Sequence, residues 1–300
     1  MRALYRARDR LWYLAHVRRA LQLAALLLLA RARPAPAATF DVDRTDDVAS
    51  ATACTGAADD CSLRGAIIAA NGNMGADIID LPAGTYTLTL AGPAEDMAAT
   101  GDLDVRDDLV LHGAGAATTI IDGGTLDRVF HVDPAGTTTV TATIDGVTVQ
   151  HGATSVISFV LSDGAAIRNG TTNTAGGNTG GTLTIANSVV RDSTCPRAGG
   201  GIANSGILHV VNSTISGNTA GTLGGGIFQD DAGTLTVDNS TLSGNHADGQ
   251  SGGGFAMGLF SITADPVVTI TSTTISGNSA GSGGGVWRNR GTLTLVKTRR

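Results

Sequence analysis

From Gly181 onward, apolar and polar residues alternate in short bursts separated by Gly and Asn. Leu208, Val210 and Ile215 form one set; Leu235, Val237 and Leu242 form the next. A period of two is strand spacing, because successive side chains leave a strand on opposite faces. The bursts also recur. Leu183, Leu208, Leu235, Val268 and Leu293 occupy equivalent places, 25, 27, 33 and 25 residues apart. Ile202, Ile227, Phe255 and Val286 each follow Gly-Gly-Gly and are spaced 25, 28 and 31 apart. Repeats of this size predict stacked supersecondary units.

Each unit is too short for a helical hairpin, and a propeller blade needs a repeat nearer ~40 residues. One unit therefore reads as one turn of a coil, with two or three short strands. Each strand pairs in parallel with its copy about 4.8 Å away. The fold class expected is all-β: a right-handed parallel β-helix, a pectin-lyase-like solenoid. Its hand follows from the crossover rule for parallel strands. Asparagines mark two registers, Asn187, Asn212 and Asn239 in one and Asn218, Asn245 and Asn278 in the other. Amides stacked at strand spacing hydrogen-bond along the stack, so both sets read as structural ladders.

Composition agrees with this pattern. The chain has 42 glycines but a single glutamate, Glu95, and a single lysine, Lys297. Surface helix formers are thus nearly absent, while β-branched residues abound. The N-terminus differs. Arginines 2, 6, 8, 10, 18 and 19 precede the apolar run Ala20–Ala30, and small residues follow to Ala38. Residues 1–38 read as a secretory signal, with an apolar run too short for a span of roughly 20 residues. Its removal takes away eight arginines and one aspartate, moving the formal charge from −6 to −13. Such a balance argues against nucleic acid or anionic lipid as partner. No integral span is expected in the mature chain.

Domain boundaries follow the change in regularity. Residues 39–75 read as an N-terminal cap, 76–163 as irregular first coils, and 164–300 as regular repeats. The last repeat stops inside a unit, at Lys297-Thr-Arg-Arg300, which suggests a truncated chain. Cys54 and Cys61 lie in a Gly/Asp-rich loop, and export predicts a disulfide between them. Cys195 is left over as a buried apolar residue.

The stretch Cys61-Ser-Leu-Arg-Gly-Ala66 resembles the Cys-Ser-Leu-Arg-Glu-Ala signature of a family of exported bacterial β-helix proteins. Asp80-Leu-Pro-Ala-Gly-Thr-Tyr86, Gly101-Asp-Leu-Asp-Val105 and Ile120-Ile-Asp-Gly-Gly124 fit the same resemblance. The Ser-Gly-Asn and Gly-Gly-Gly repeats look like those of polymorphic outer-membrane proteins. The resemblance covers about residues 40–296 and implies a secreted or envelope-associated protein without an assigned activity. The chain departs from the signature at Gly65. Ser62 is expected to cap a short helix over about 63–71, with Leu63, Ile67 and Ala70 as its apolar stripe. The signature's Glu would complete a capping box, so Gly65→Glu is expected to stabilise the helix.

Candidate chemistry is sparse. Polysaccharide cleavage needs clustered carboxylates, or a base with calcium-binding carboxylates. The best cluster is Asp122, Asp127, Arg128, His131, Asp145 and His151, in early coils that are expected to share one face. Arg191 with Asp192 is a weaker second. No cofactor or metal site is expected, since calcium-binding nonapeptides and grouped Cys/His ligands do not occur. The competing function class is structural or adhesive, with a surface glycan or an envelope or host protein as partner. Met257, Leu259 and Phe260 in the insert Ala256–Ala264, and Trp287, are the candidate contact residues.

Overall fold

The computed structural model describes residues 37–92, 95–137, 139–155, 163–171, 179–230, 233–258 and 265–299. The expected signal lies outside the described residues apart from Ala37 and Ala38. The described residues form a parallel β-helix.

One regular turn shows how the repeat is used. Thr182–Ala186 lies in the first sheet, Val189–Arg191 in the second, Thr194–Cys195 in the third and Ile202–Asn204 in the fourth. Ile207–Val211 then returns to the first sheet, pairing in register with Leu183 opposite Leu208. The first sheet has nine strands, the second and fourth seven each, and the third four. The first, second and fourth sheets run unbroken from the irregular coils into the regular ones. The third has its first strand at Thr194–Cys195, beyond an isolated bridge from Ala153 to Thr194. All ladders between strands are parallel.

Alternation sets the core. Leu183, Leu208, Leu235 and Val268 stack on the inner face of the first sheet, and Val190, Ile215, Leu242 and Ile275 on that of the second. All are buried in one continuous cluster. Full burial of each such side chain contributes about 1.5–3 kcal/mol. The first sheet keeps its other face partly open, whereas the fourth is buried on both faces up to Phe255–Met257.

Corners explain the asparagines. Asn187, Asn212 and Asn239 have φ of 48°, 50° and 47°, a left-handed conformation that Asn tolerates better than most residues. Their amides link in series, Asn239 to Asn212 at 2.7 Å and Asn212 to Asn187 at 3.4 Å. The Asn218, Asn245 and Asn278 ladder is more even and more buried, with both amide links at 3.0 Å. Two further ladders escaped sequence reasoning. Asn169, Asn204 and Gln229 join through buried amides at 2.8 and 2.7 Å. Ser188, Ser213 and Ser240 each donate a backbone N–H to the hydroxyl of the next coil. A single serine per turn carries no visible pattern in a chain rich in serine.

The helix Leu63–Gly72 closes the N-terminal end of the coil. Its Leu63, Ala66, Ile67 and Ala70 join the main core beside Ile79 and Leu103. Ser62 accepts the Gly65 amide at 2.9 Å, as expected of an N-cap. The expected benefit of Gly65→Glu is overturned. A Cβ on Gly65 would lie 1.8 Å from the Ala51 carbonyl oxygen, so the position requires glycine for close backbone approach. Cys54 and Cys61 form a disulfide in the structure, with Cα atoms 4.5 Å apart.

Arg64 gives the Cys-Ser-Leu-Arg stretch a physical role. It is fully buried and bonds both carboxylate oxygens of Asp47. It also donates to the carbonyls of Ala98, Gly101 and Asp102. Asp47 in turn accepts the amides of Thr89 and Leu90. One guanidinium therefore fixes the cap to the loops that precede the strand Leu103–Val105.

Candidate functional site

The six candidate catalytic residues do not share a face. Asp122 and His151 meet at the end of the second sheet, with His151 Nδ1 2.9 Å from Asp122 Oδ2. Gln150 donates to the same carboxylate and accepts from Arg191. Asp145 lies at the first corner, where it accepts from Asn187 at 2.7 Å and lies 3.7 Å from His112. Asp127, Arg128 and His131 belong to the fourth sheet and the turn before it. The separation is a matter of register: strands of one coil feed different sheets, so nearness in sequence does not place residues on one face.

The dyad on the second sheet is part-exposed, with 44% of the His151 side chain accessible. Burial alone would raise the Asp122 carboxyl. Hydrogen bonds from Gln150, the Gly124 amide and His151 outweigh it and hold the group below the usual carboxylate range. Chemically this is an acceptor-rich pair able to orient an imidazole as a base.

The outer face of the fourth sheet is the more unusual site. One column runs Asp104, His131, Arg168, Ala203, Phe228, Ala256 and Trp287, each paired with the next. The first six are buried although they point away from the coil interior. Loops cover them. Ala198 and Leu223 pack on Phe228, Ala256 and Trp287, and Gly224 lies against Phe228 with φ of 61°. At the early end the cover is ionic. Arg128 pairs with Asp102 at 2.9 Å and donates to the Gly164 carbonyl at 3.0 Å. Asp163 lies between Arg168 at 3.7 Å and Arg197 at 3.6 Å.

Burial perturbs these groups, since it disfavours charge. The Asp102 carboxyl is pushed up to about 6, mainly by burial and with Arg128 opposing. Asp104 is pushed up to about 8 by burial first, then by Asp102, Asp96 and Glu95. Burial also drives His131 well below its usual value, and the Arg128 and Arg168 cations add to the effect. The imidazole is therefore neutral. Its Nε2 lies 3.1 Å from the Gly170 carbonyl; that contact requires the proton on Nε2 and leaves a lone pair on Nδ1. Asp104 Oδ1 is 3.7 Å from this nitrogen, and Asp96 Oδ1 is 3.8 Å from it.

Asp96 and Asp104 were missed by sequence reasoning. Asp104 sits inside Gly101-Asp-Leu-Asp-Val105, where strand alternation was its only readable signal. Asp96 becomes relevant only because Arg64 and Glu95 fix its loop: Glu95 accepts the amides of Ala99 and Thr100 at 2.7 and 3.0 Å.

The proposed contact residues also resolve differently. Met257 is fully buried in the strand Phe255–Met257, not exposed on a loop. Leu259 and Phe260 lie outside the described residues. Trp287 does point outward, yet it packs on the apolar column and is only partly accessible. Comparison with family models, curated proteins and solved structures finds no match to the chain.

Proposed function

We propose that this protein is an exported, non-catalytic β-helix with a structural or adhesive role, presenting its first sheet to a surface glycan or to an envelope or host protein. The observation that carries this reading is the outer face of that sheet. Thr143, Thr184, His209, Thr236, Thr269 and Thr294 form one register-matched row. Thr182, Thr234 and Thr292 lie two residues away on the same strands, and these threonines are part-exposed or exposed. Hydroxyls repeated at the strand spacing of about 4.8 Å make a regular hydrogen-bonding row. A repeating polymer can meet such a surface at many points, gaining avidity from weak contacts.

The test is a glycan and polysaccharide array probed with the chain lacking residues 1–38. Retention is expected on a subset of polymers and should be lost in a Thr184→Arg/Thr236→Arg double variant. The proposed export is tested by fusing residues 1–38 to a reporter; a reporter held in the cytoplasm would overturn it. Among the described residues no helix is long and apolar enough to cross a membrane.

A second reading, cleavage of an acidic polysaccharide, is favoured by the Asp122–His151 contact alone. It expects release of reducing or unsaturated sugar that disappears in His151→Ala. Asp145→Asn should leave such an activity intact, because Asp145 belongs to a different corner. Turnover with that dependence would displace the adhesive reading.

A further inference from the structure

We infer that Asp96, Asp104 and His131 form a binding site for a divalent cation of borderline softness, of the zinc class, that clasps the 95–102 loop to the first coils. The inference does not depend on the role of the first sheet.

Four observations converge. First, one ligand atom from each residue lies within 4.8 Å of the others. Second, the Asp104 side chain is wholly buried, and its Oδ1 has no hydrogen-bond partner. Its other oxygen is held by the Ala98 amide at 2.8 Å, which fixes the carboxylate with Oδ1 turned to His131. A buried acceptor left unmatched is destabilising, so Oδ1 has a use for a partner. Third, His131 donates its Nε2 proton to the Gly170 carbonyl and aims its free Nδ1 at the same point. Histidine ligands commonly donate their second ring N–H to a backbone carbonyl in this way, which fixes tautomer and orientation. Fourth, Glu95 Oε1 on the same loop is also shielded without a partner. Two carboxylates, Asp96 and Asp104, thus meet at one histidine, with a third on the same loop.

The donor set selects the cation. One imidazole and two carboxylates suit zinc-class ions better than calcium, which prefers six to eight oxygens. Bonds of about 2.0–2.2 Å require the three atoms to draw in slightly. Asp96 can supply that movement, since 64% of its side chain is exposed. Solvent would complete the coordination on that open side. The bound ion would then tie three segments together: the loop carrying Asp96, the strand Leu103–Val105 and the strand Phe130–Val132.

The experiment uses the chain lacking residues 1–38, stripped with EDTA and titrated near neutral pH with Zn²⁺. Co²⁺ is used in parallel as a spectroscopic probe. One ion per chain is expected, with affinity tighter than ~100 µM, together with slower hydrogen exchange in residues 95–104. Asp96→Asn, on the exposed rim, should fold normally and weaken binding by at least about tenfold. His131→Gln should abolish the Co²⁺ visible spectrum. His112→Ala, at the separate corner with Asp80 and Asp145, should change neither. Absence of binding in this range would overturn the site, as would equal affinity in Asp96→Asn. A His112-dependent signal would also overturn it, by placing the ion at the exposed corner.

Discussion

The two ends of the fourth sheet solve one packing problem with opposite chemistry. The same outward column is buried from Asp104 to Ala256, but the early coils fill it with Asp104, His131 and Arg168, and the later ones with Ala203, Phe228 and Ala256. In the later coils the cover is Leu223 and Ala198, so burial itself is favourable. In the early coils a buried charge needs a partner, and for Arg128 and Arg168 the loops supply one through Asp102, Asp163 and backbone carbonyls. Buried ion pairs add little net stability over well-packed apolar residues, yet losing one partner is severe. The early half is therefore specified by exact pairing and the late half by volume. Repeats tolerate drift in spacing where volume rules; irregular loops are needed where pairing rules.

The sharpest way to break the contrast is to exchange the two chemistries. Phe228→Asp places a carboxylate among Ala203, Ala256 and Leu223. It loses the ring's burial and puts a charge in a buried place, so a loss of more than about 4 kcal/mol is expected. Urea unfolding followed by hydrogen exchange should show the regular coils opening first. A loss below about 1 kcal/mol, against that cavity scale, would mean that the covering loops move aside easily.

In the early half, Arg128→Met leaves Asp102 buried and unpaired, and should cost about 3–5 kcal/mol. Converting the partner as well, in Arg128→Met/Asp102→Leu, should recover most of the loss, because the apolar solution used by the later coils then becomes available. A double variant as unstable as the single one would show that the carbonyl contacts of Arg128, not its charge pair, carry the site.

How far these halves were legible in the sequence differs for the same reason. The later coils were readable because Leu183, Leu208 and Leu235 repeat at fixed places, and period two maps directly onto inside and outside. The ladders Asn187–Asn212–Asn239 and Asn218–Asn245–Asn278 were readable because identical residues recur in register. The early site was not readable. Asp104, His131 and Arg168 are neighbours across the sheet but fall at unequal spacings, and their partners Asp102 and Asp163 arrive from loops. The six-residue cluster was assembled by nearness in sequence, which the coil distributes over separate sheets. Gly65 was misread because helix propensity was visible and the Ala51 carbonyl was not.

The cap at the charged end supplies a smaller effect. Gly65→Ala introduces a Cβ that must displace the Ala51 backbone, and should cost about 1–3 kcal/mol despite alanine's better helix propensity. Gly65→Glu should be at least as damaging. Faster exchange over Ile67–Asn71 in Gly65→Ala is the expected observation. Slower exchange there would restore the view that a capping box is all the position lacks.

The smallest effect is set by acid, and it separates the halves without mutation. Burial alone would raise Asp47, but bonds from Arg64 and the amides of Leu90 and Thr89 outweigh it and hold the carboxyl below its usual 3.8. A depressed folded-state pKa contributes stability that is present above the unfolded value and lost as pH falls through the folded one. The raised carboxyls Asp102, Asp127 and Asp163 act oppositely, but only above 3.8; below it they are protonated in both states. Below that pH the linkage comes from depressed carboxyls, Asp47 and Asp122 among them, and it weakens the charged end. The apolar column at Phe228 and Ala256 has no titrating member. Protection of the Thr89 and Leu90 amides, which donate to Asp47 at 2.7 and 2.9 Å, should fall below about pH 3.8. Protection around Ile215 and Leu242 should hold. In Asp47→Asn the acid step should vanish, because the amide does not titrate. Equal loss of protection in both halves would mean that the coil opens in acid as one cooperative unit, and that the charged end has no weakness of its own.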